Sequence, residues 1–429
     1  MLGPSVRNNK ELVCITKFRQ CKGMDNLTHS LAGLAVGELL HRSLASEPEP
    51  ASQSTRRRML LVSCWAANNI PDLDLLLSGR LPAPIGYLLD HRGHTHTLLY
   101  ALPQAMLIAA LVWLLWPAAR ALLGASRSAR SGLALAVALG LGMHIGADFL
   151  NSYGVHPFYP LDARWFYGDT LFIVEPVMWI AFGTPLAMML ARRWMRLVPL
   201  LLIAAVLALS MSRDLLAWGS VLGLAVGAWV LAWLQHRAGV AGRQALAAGL
   251  VLAVAFIGLQ AFISLHGKHA IAADLRQRDL SVRVLDIAIS PLPANPLCWS
   301  FISVARSTGG ATYQMRRGMY SAAPTVMGVR ECPAGLSMGD LQGSAQLGYG
   351  WTQSYQLAKL RALAATCRGN AWLRFARMPA WWPQGVTDAR FSMPPDANFS
   401  TMDVQAIEAL PCPRGIPQWG MPREDLLSD

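Results

Sequence analysis

Six apolar stretches dominate this chain, at about 98–119, 132–150, 171–191, 197–212, 215–235 and 244–265. Each is long enough, or nearly so, to cross the hydrocarbon core of a bilayer, which takes ~20 helical residues. Inside lipid every backbone amide must find its partner within the structure, so these runs call for a helical bundle. Composition agrees: of 429 residues, 53% are hydrophobic and 14% charged, against roughly a quarter charged in soluble domains. Two earlier segments, 27–44 and 59–77, are interrupted by His29, Glu38, Asn68, Asn69, Asp72 and Asp74. Counting both, the expectation is an all-α polytopic membrane bundle of about eight embedded helices over 24–265.

Loop charges support that count. If both interrupted segments cross, the loops on one side hold Arg42, Arg56, Arg57, Arg58, Arg120, Arg127, Arg130, Arg192, Arg193, Arg196, Arg237 and Arg243. The other side holds only Arg80, Arg92, Arg164 and Arg213, beside Asp90, Asp162, Asp169 and Asp214. Positively charged loops stay in the cytoplasm, so the chain from Met24 and everything after 265 are expected outside, in a bacterial-type inner membrane. The basic residues before Met24 (Arg7, Lys10, Lys17, Arg19 and Lys22) fit poorly there. They favour Met24 as the start, with 1–23 an untranslated extension, and no cleavable signal peptide is evident. The formal charge of +12 is explained by this loop bias, and nucleic-acid binding is excluded on the same ground.

After residue 265 the composition turns to Pro, Trp, Arg and Gly with short β-branched runs, Ser281–Ile289 and Phe301–Ala305. A soluble α+β or β-rich domain is expected over 266–429, with further strands at Trp372–Arg377 and Ala389–Ser392 and a helix near Gln356–Cys367. The stretch 45–58 reads as a flexible loop. Cysteines at 14, 21, 64, 298, 332, 367 and 412 lack the close pairs of a zinc module. The last four permit two disulfides in an oxidising compartment, or free thiols.

Chemistry concentrates in four polar clusters: Thr28-His29; Asn69 through Asp74; His91 through His96; and His144 through Asp148. In the eight-span arrangement each lies at the outer end of its helix, so residues distant in sequence share one depth. His144 and Asp148, four apart, stack on one helical face. Imidazole and carboxylate together suit zinc or manganese, and three protein ligands leave a position for water. His29, Asp72, His91, His96, His144 and Asp148 are therefore candidate ligands of one or two divalent ions. Among the close imidazoles at 91, 94 and 96, His96 is the first choice, with His91 or His94 orienting it or holding a second ion. Arg92 is a candidate for an anionic substrate group. Glu175, in an apolar run before Pro176, must pair, bind metal or carry a proton; it and Asp74 are candidates for proton transfer. Asn151, His156 and Asp169 are weaker candidates for contact with substrate or ligands.

Taken in order, Asp25 through Ser30, Pro71 through Asp74, His91-Arg92-Gly93 with Thr95-His96-Thr97, His144 through Asp148, and Gly168-Asp169 with Leu171 through Pro176 resemble the YdjM-like family of predicted membrane-bound metal-dependent hydrolases. The resemblance covers 24–180 and implies a helical membrane domain holding a metal-dependent hydrolase site. The order His29, Asp72, His96, His144-x-x-x-Asp148 is also distantly similar to zinc-dependent phospholipase C, which implies metal-activated attack on a phosphodiester. His156 and Glu175 are offset from the later ligands of that pattern.

The expected function is thus hydrolysis of an ester or phosphoester, with membrane lipids or a small molecule as substrate. A metal-ion or proton transporter is the alternative, since intramembrane His and Asp also line ion pathways; a third is a non-catalytic scaffold for the C-terminal domain.

Overall fold

The computed structural model describes residues 26–428 apart from 191, 337–339 and 404–410. The expected extension 1–23, the Met24 start, Asp25, Cys14 and Cys21 lie outside the described residues. Helices α1 (Asn26–Ser43) and α2 (Pro50–Ala67) pack side by side. Glycines permit the approach: a Cβ on Gly33 would lie 2.9 Å from the Trp65 Cα. Gly140 of the later helix α6 does the same against α2, where a Cβ would lie 2.5 Å from the Ala67 Cβ. Small residues at such crossings are the usual route to close helix contact in lipid.

Beyond α2 the chain turns at Asn68 into a 3₁₀ segment, Ile70–Leu77, then α3 (Ile85–Asp90) and a single 3₁₀ turn, His94–His96. There follow α4 (Leu98–Leu115), α5 (Pro117–Ala125), α6 (Arg127–Leu150), α7 (Pro176–Met188), α8 (Arg193–Ser212), α9 (Trp218–Ala238) and α10 (Gln244–Arg278).

Five of the described helices, α4, α6, α8, α9 and α10, are long and apolar enough to cross a membrane, so the expected count of eight is not confirmed. Three segments account for the difference. α1 carries Glu38, His41 and Arg42, and α2 carries Arg56, Arg57 and Arg58. α7 is short, and a π-helical turn, Trp179–Gly183, interrupts it. The stretch 45–58 is not the expected loop. α2 begins within it at Pro50, and Arg56 is fully buried on Glu47 at 2.9 Å and the Ser128 hydroxyl at 2.8 Å.

At 35 residues, α10 is ~52 Å long by helical rise, well beyond a hydrocarbon core of ~30 Å. It runs past the expected boundary at 265. Its last turns pack Ile271 and Leu275 against Ile287, Trp299 and Tyr320 of an antiparallel sheet. The sheet comprises β1 (Val282–Leu292), β2 (Asn295–Ser307), β3 (Thr312–Ser321), β4 (Gln342–Gly343) and β5 (Leu347–Gln356), in the order β1-β2-β3-β5-β4. Two short helices follow, α11 (Leu357–Ala365), close to where a helix is expected, and α12 (Cys367–Leu373). A second sheet joins β6 (Pro379–Trp382), β7 (Gly385–Asp388) and β8 (Met402–Asp403). A last turn of helix, α13, spans Glu424–Leu427.

Two expected strands are not strands. Trp372 lies in the last turn of α12 with its buried indole N–H donating to the Ser400 carbonyl, and 389–391 is a turn pinned by Asp388. Runs of four to six residues carry too little alternation to separate strand from helix. Both permitted disulfides form, Cys298–Cys332 and Cys367–Cys412.

The C-terminal domain is fused to one end of the bundle. Leu81, Leu88, Tyr153 and Trp165 share a core with Trp372, Phe375 and Trp419. A buried ionic node reinforces the joint: Arg377 donates to Asp169 at 2.8 Å and to Asp286 at 2.7 Å, and Lys268 of α10 meets Asp169 at 2.7 Å.

Candidate metal centre

Four ligand atoms, one each from Asp72, His96, His144 and Asp148, lie within 4.8 Å of one another, and all four residues are buried. They come from the 3₁₀ segment after α2, the turn before α4, and the last turns of α6. Four residues far apart in sequence are therefore brought together. The His96 and His144 Nε2 atoms are 2.9 Å apart, and Asp148 Oδ2 is 3.0 Å from the first and 3.6 Å from the second. Asp72 Oδ1 completes the set at 3.5 and 3.6 Å.

The other face of each imidazole decides what those nitrogens are. His144 Nδ1 is 3.0 Å from the Asn68 carbonyl, which can only accept, so Nδ1 carries the proton. His96 Nδ1 is 3.2 Å from Asp74 Oδ2, a carboxylate, so it donates as well. When both imidazoles are neutral, the two Nε2 atoms present lone pairs to each other and to two carboxylates. Such an arrangement of donors repels itself unless a cation sits among them, and a buried His whose outer nitrogen donates to a carboxylate or carbonyl is the usual form of a metal ligand. Charge agrees: Asp72, Asp74 and Asp148 face one guanidinium, Arg92, leaving two negative charges for a divalent ion when the imidazoles are neutral.

Asp74 organises rather than joins this set. Its Oδ2 accepts from the Arg92 amide at 3.0 Å and the Thr95 hydroxyl at 2.8 Å, as well as from His96. Its Oδ1 lies 3.1 Å from His91 Nδ1. Burial pushes its carboxyl up, but the hydrogen bonds from His91 and His96 outweigh burial and hold it at about 2. Asp72 behaves alike: burial raises it, and the imidazoles of His144 and His96 bring it well below the usual carboxylate range. Asp72, Asp74 and His91 also form a second group that could hold a metal ion.

Arg92 sits with φ 57°, bent so that its side chain turns inward. Its guanidinium meets Asp148 Oδ1 at 2.7 Å and Asn151 Oδ1 at 2.9 Å and lies 4.7 Å from the Tyr153 ring centroid. His29 stacks on His144 with centroids 4.1 Å apart and reaches Asp148 Oδ1 at 3.6 Å, beside the four-residue group rather than within it.

The remaining candidates lie elsewhere. Glu175 Oε1 caps α7 through the Val177 amide at 3.1 Å and accepts from the Ala294 amide at 3.0 Å, tying α7 to the β1–β2 turn. Burial pushes its carboxyl up to about 8. Val177 and Ala294 border a separate apolar groove of about 460 Å³ that also touches Leu224 and Phe256. Asp169 belongs to the Arg377 node. His156 is enclosed by Trp165 and Trp419, at 4.4 and 3.8 Å between centroids. His94 packs on Trp419 at 4.7 Å.

Sequence reasoning missed Thr95 and the Asn68 carbonyl as supports of the imidazoles. It also missed Tyr87 and Tyr153, whose rings flank His91 at 5.2 and 5.9 Å. The Thr95-His96 dipeptide was the available signal; a backbone carbonyl leaves none.

"Uncharacterized protein YfhP" of Bacillus subtilis (strain 168) is 25% identical over 158 residues, covering 37% of this chain and 44% of that protein. The chain thus spans less than half the length of this curated relative. No solved structure matches the chain. The model of the family described as YdjM inner membrane protein matches residues 24–218, a stretch that contains all four converging ligands.

Proposed function

We propose that this protein is a membrane-bound, metal-dependent hydrolase acting on an ester or phosphoester, its centre facing the extracytoplasmic side. The observation that carries the reading is the pair of Nε2 lone pairs 2.9 Å apart, closed in by Asp72 and Asp148. A divalent ion held there, zinc being the best fit to two imidazoles and two carboxylates, supplies a polarised water and a Lewis-acidic charge at neutral pH.

The chain's own residues supply the rest. Asp74 and the Asn68 carbonyl fix both ring orientations and leave both Nε2 atoms free of protons. Arg92 places a fixed positive charge beside Asp148. Asp72, at 9% exposure against 0% for His96 and His144, is the ligand nearest the accessible side. Glu175, bound to the Ala294 amide, is left with a role in joining α7 to the C-terminal domain. The outward orientation is supported by the arginine-rich opposite loops and by two disulfides, which persist in oxidising compartments.

Purified full-length protein, loaded with zinc, is expected to hydrolyse bis(p-nitrophenyl) phosphate, with loss of at least a hundredfold in Asp148→Asn. Metal binding without turnover of phosphodiester or carboxylic ester, together with zinc flux in proteoliposomes abolished by His144→Ala, would overturn the hydrolase in favour of a transporter.

A further inference from the structure

The eight residues that bring Asp72 and Asp74 into the centre, Ile70–Leu77, are two-faced. Both carboxylates are buried, whereas Leu73, Leu76 and Leu77 are exposed, Leu76 at 81%. With three residues per 3₁₀ turn, Leu73 and Leu76 stand one above the other. Leu98, Leu99 and Leu102, on the first turns of α4 directly after His96, are exposed as well. They continue the bare apolar surface of α4, a helix of spanning length of which only 11% is buried. An exposed apolar patch of this kind in a soluble setting would mark an interface; near a helix long and apolar enough to cross a membrane, it is suited to face lipid.

The opposite side is closed. Trp419 of the C-terminal domain packs on His94, His156 and Tyr159 and donates its indole N–H to the Leu89 carbonyl at 3.1 Å. Phe399 covers Tyr87 and Tyr153, with centroids 5.4 and 6.0 Å apart. Arg390 clamps the Ser152 and Tyr153 carbonyls at 2.7 and 3.1 Å. What remains least covered among the candidate ligands is Asp72 and His91, both at 9% exposure, and Asp72 is the immediate neighbour of Leu73.

We infer that the centre is reached sideways from the bilayer, between the 3₁₀ segment Ile70–Leu77 and the start of α4, and that its substrate is a membrane lipid with an anionic phosphoester headgroup. The apolar collar holds the acyl chains while the headgroup passes Asp72 toward the ion and the Arg92 charge. The C-terminal domain acts as a roof over the opposite side of the centre. The substrate class rests on the hydrolase reading; the route does not.

The test uses the full chain in phosphatidylethanolamine–phosphatidylglycerol nanodiscs with a trace of phosphatidylglycerol bearing a diazirine on its headgroup. After illumination, adducts are expected in the peptides covering 70–77 and 85–91. Excess long-chain phosphatidylglycerol should suppress them at least tenfold, and glycerophosphate at the same concentration less than twofold. Leu73→Asp with Leu76→Asp should lower the adducts at least fivefold with zinc content unchanged. Labelling of the spans without adducts at 70–77 and 85–91, or equal competition by glycerophosphate, overturns the route. Adducts there without hydrolysis of either lipid or soluble ester leave the route standing and sink the hydrolase. Turnover of the soluble ester without those adducts does the reverse.

Discussion

Asp74→Asn separates an organising carboxylate from a ligand. The wild-type side chain takes donors from Arg92, Thr95 and His96 on Oδ2 and from His91 on Oδ1. Asparagine is nearly isosteric, so its carbonyl oxygen can keep the three Oδ2 donors while its NH₂ group faces His91. What disappears is the negative charge behind His96, which raises that imidazole's basicity toward an ion. Loss of such a supporting partner weakens metal binding by about 10–100-fold, or about 1.4–2.7 kcal/mol. Competitive titration of the full-length protein with a fluorescent zinc chelator reads this directly, with a thermal melt as the control for folding. An affinity within twofold of wild type would show that Asp74 does not act through His96. Loss of one bound ion of two, with the other undisturbed, would show instead that Asp74 is a direct ligand of a second ion beside Asp72 and His91.

Three further outcomes are expected. Arg377→Met strands Asp169 and Asp286 without their shared guanidinium, so breaking this buried pair should cost about 3–5 kcal/mol and expose the C-terminal domain to limited proteolysis; an unchanged melting profile would refute it. Reduction should destabilise the C-terminal domain by about 4 kcal/mol per bridge on the loop-entropy model, since the bridges close separations of 34 and 45 residues; melts with and without dithiothreitol check this. His156, held neutral by burial down to about pH 3, takes no proton in the folded state where the unfolded chain does. Its contribution should be complete above an unfolded pKa of ~6.5 and fall by up to about 1.4 kcal/mol per unit as pH drops toward 3. In EDTA, the stability of wild type minus that of His156→Phe should show this slope, and a flat difference between pH 6.5 and 4 would contradict it.

The centre was legible because membrane burial makes ionisable groups conspicuous. Asp72, His96, His144 and Asp148 stand out in apolar surroundings, and the topology of helix ends alone put them at one depth. Their division of labour was not legible. Asp74 and Glu175 look alike in sequence, as carboxylates in apolar runs. Only the fold shows one receiving four donors beside the imidazoles and the other capping α7 against Ala294. The spans were readable where hydropathy was uniform, as in α4 and α6. α1 and α2 escape because their polar faces serve packing and ion pairs, such as Glu38 with Arg42 and Arg57 at 2.6 and 2.8 Å. The roof was least legible of all. The contacts of Trp419 with His94 and of Phe399 with Tyr87 join residues some three hundred apart, and no local pattern encodes them.

The convergence of His96, His144, Asp72 and Asp148 calls for a cation held among them. Elemental analysis of the full-length protein, purified without chelator, should find at least one tightly held divalent metal per chain in wild type and less than a tenth of that in His144→Ala with the bundle still folded. Equal metal content in the two proteins, or none in wild type after incubation with zinc and manganese, would contradict the account.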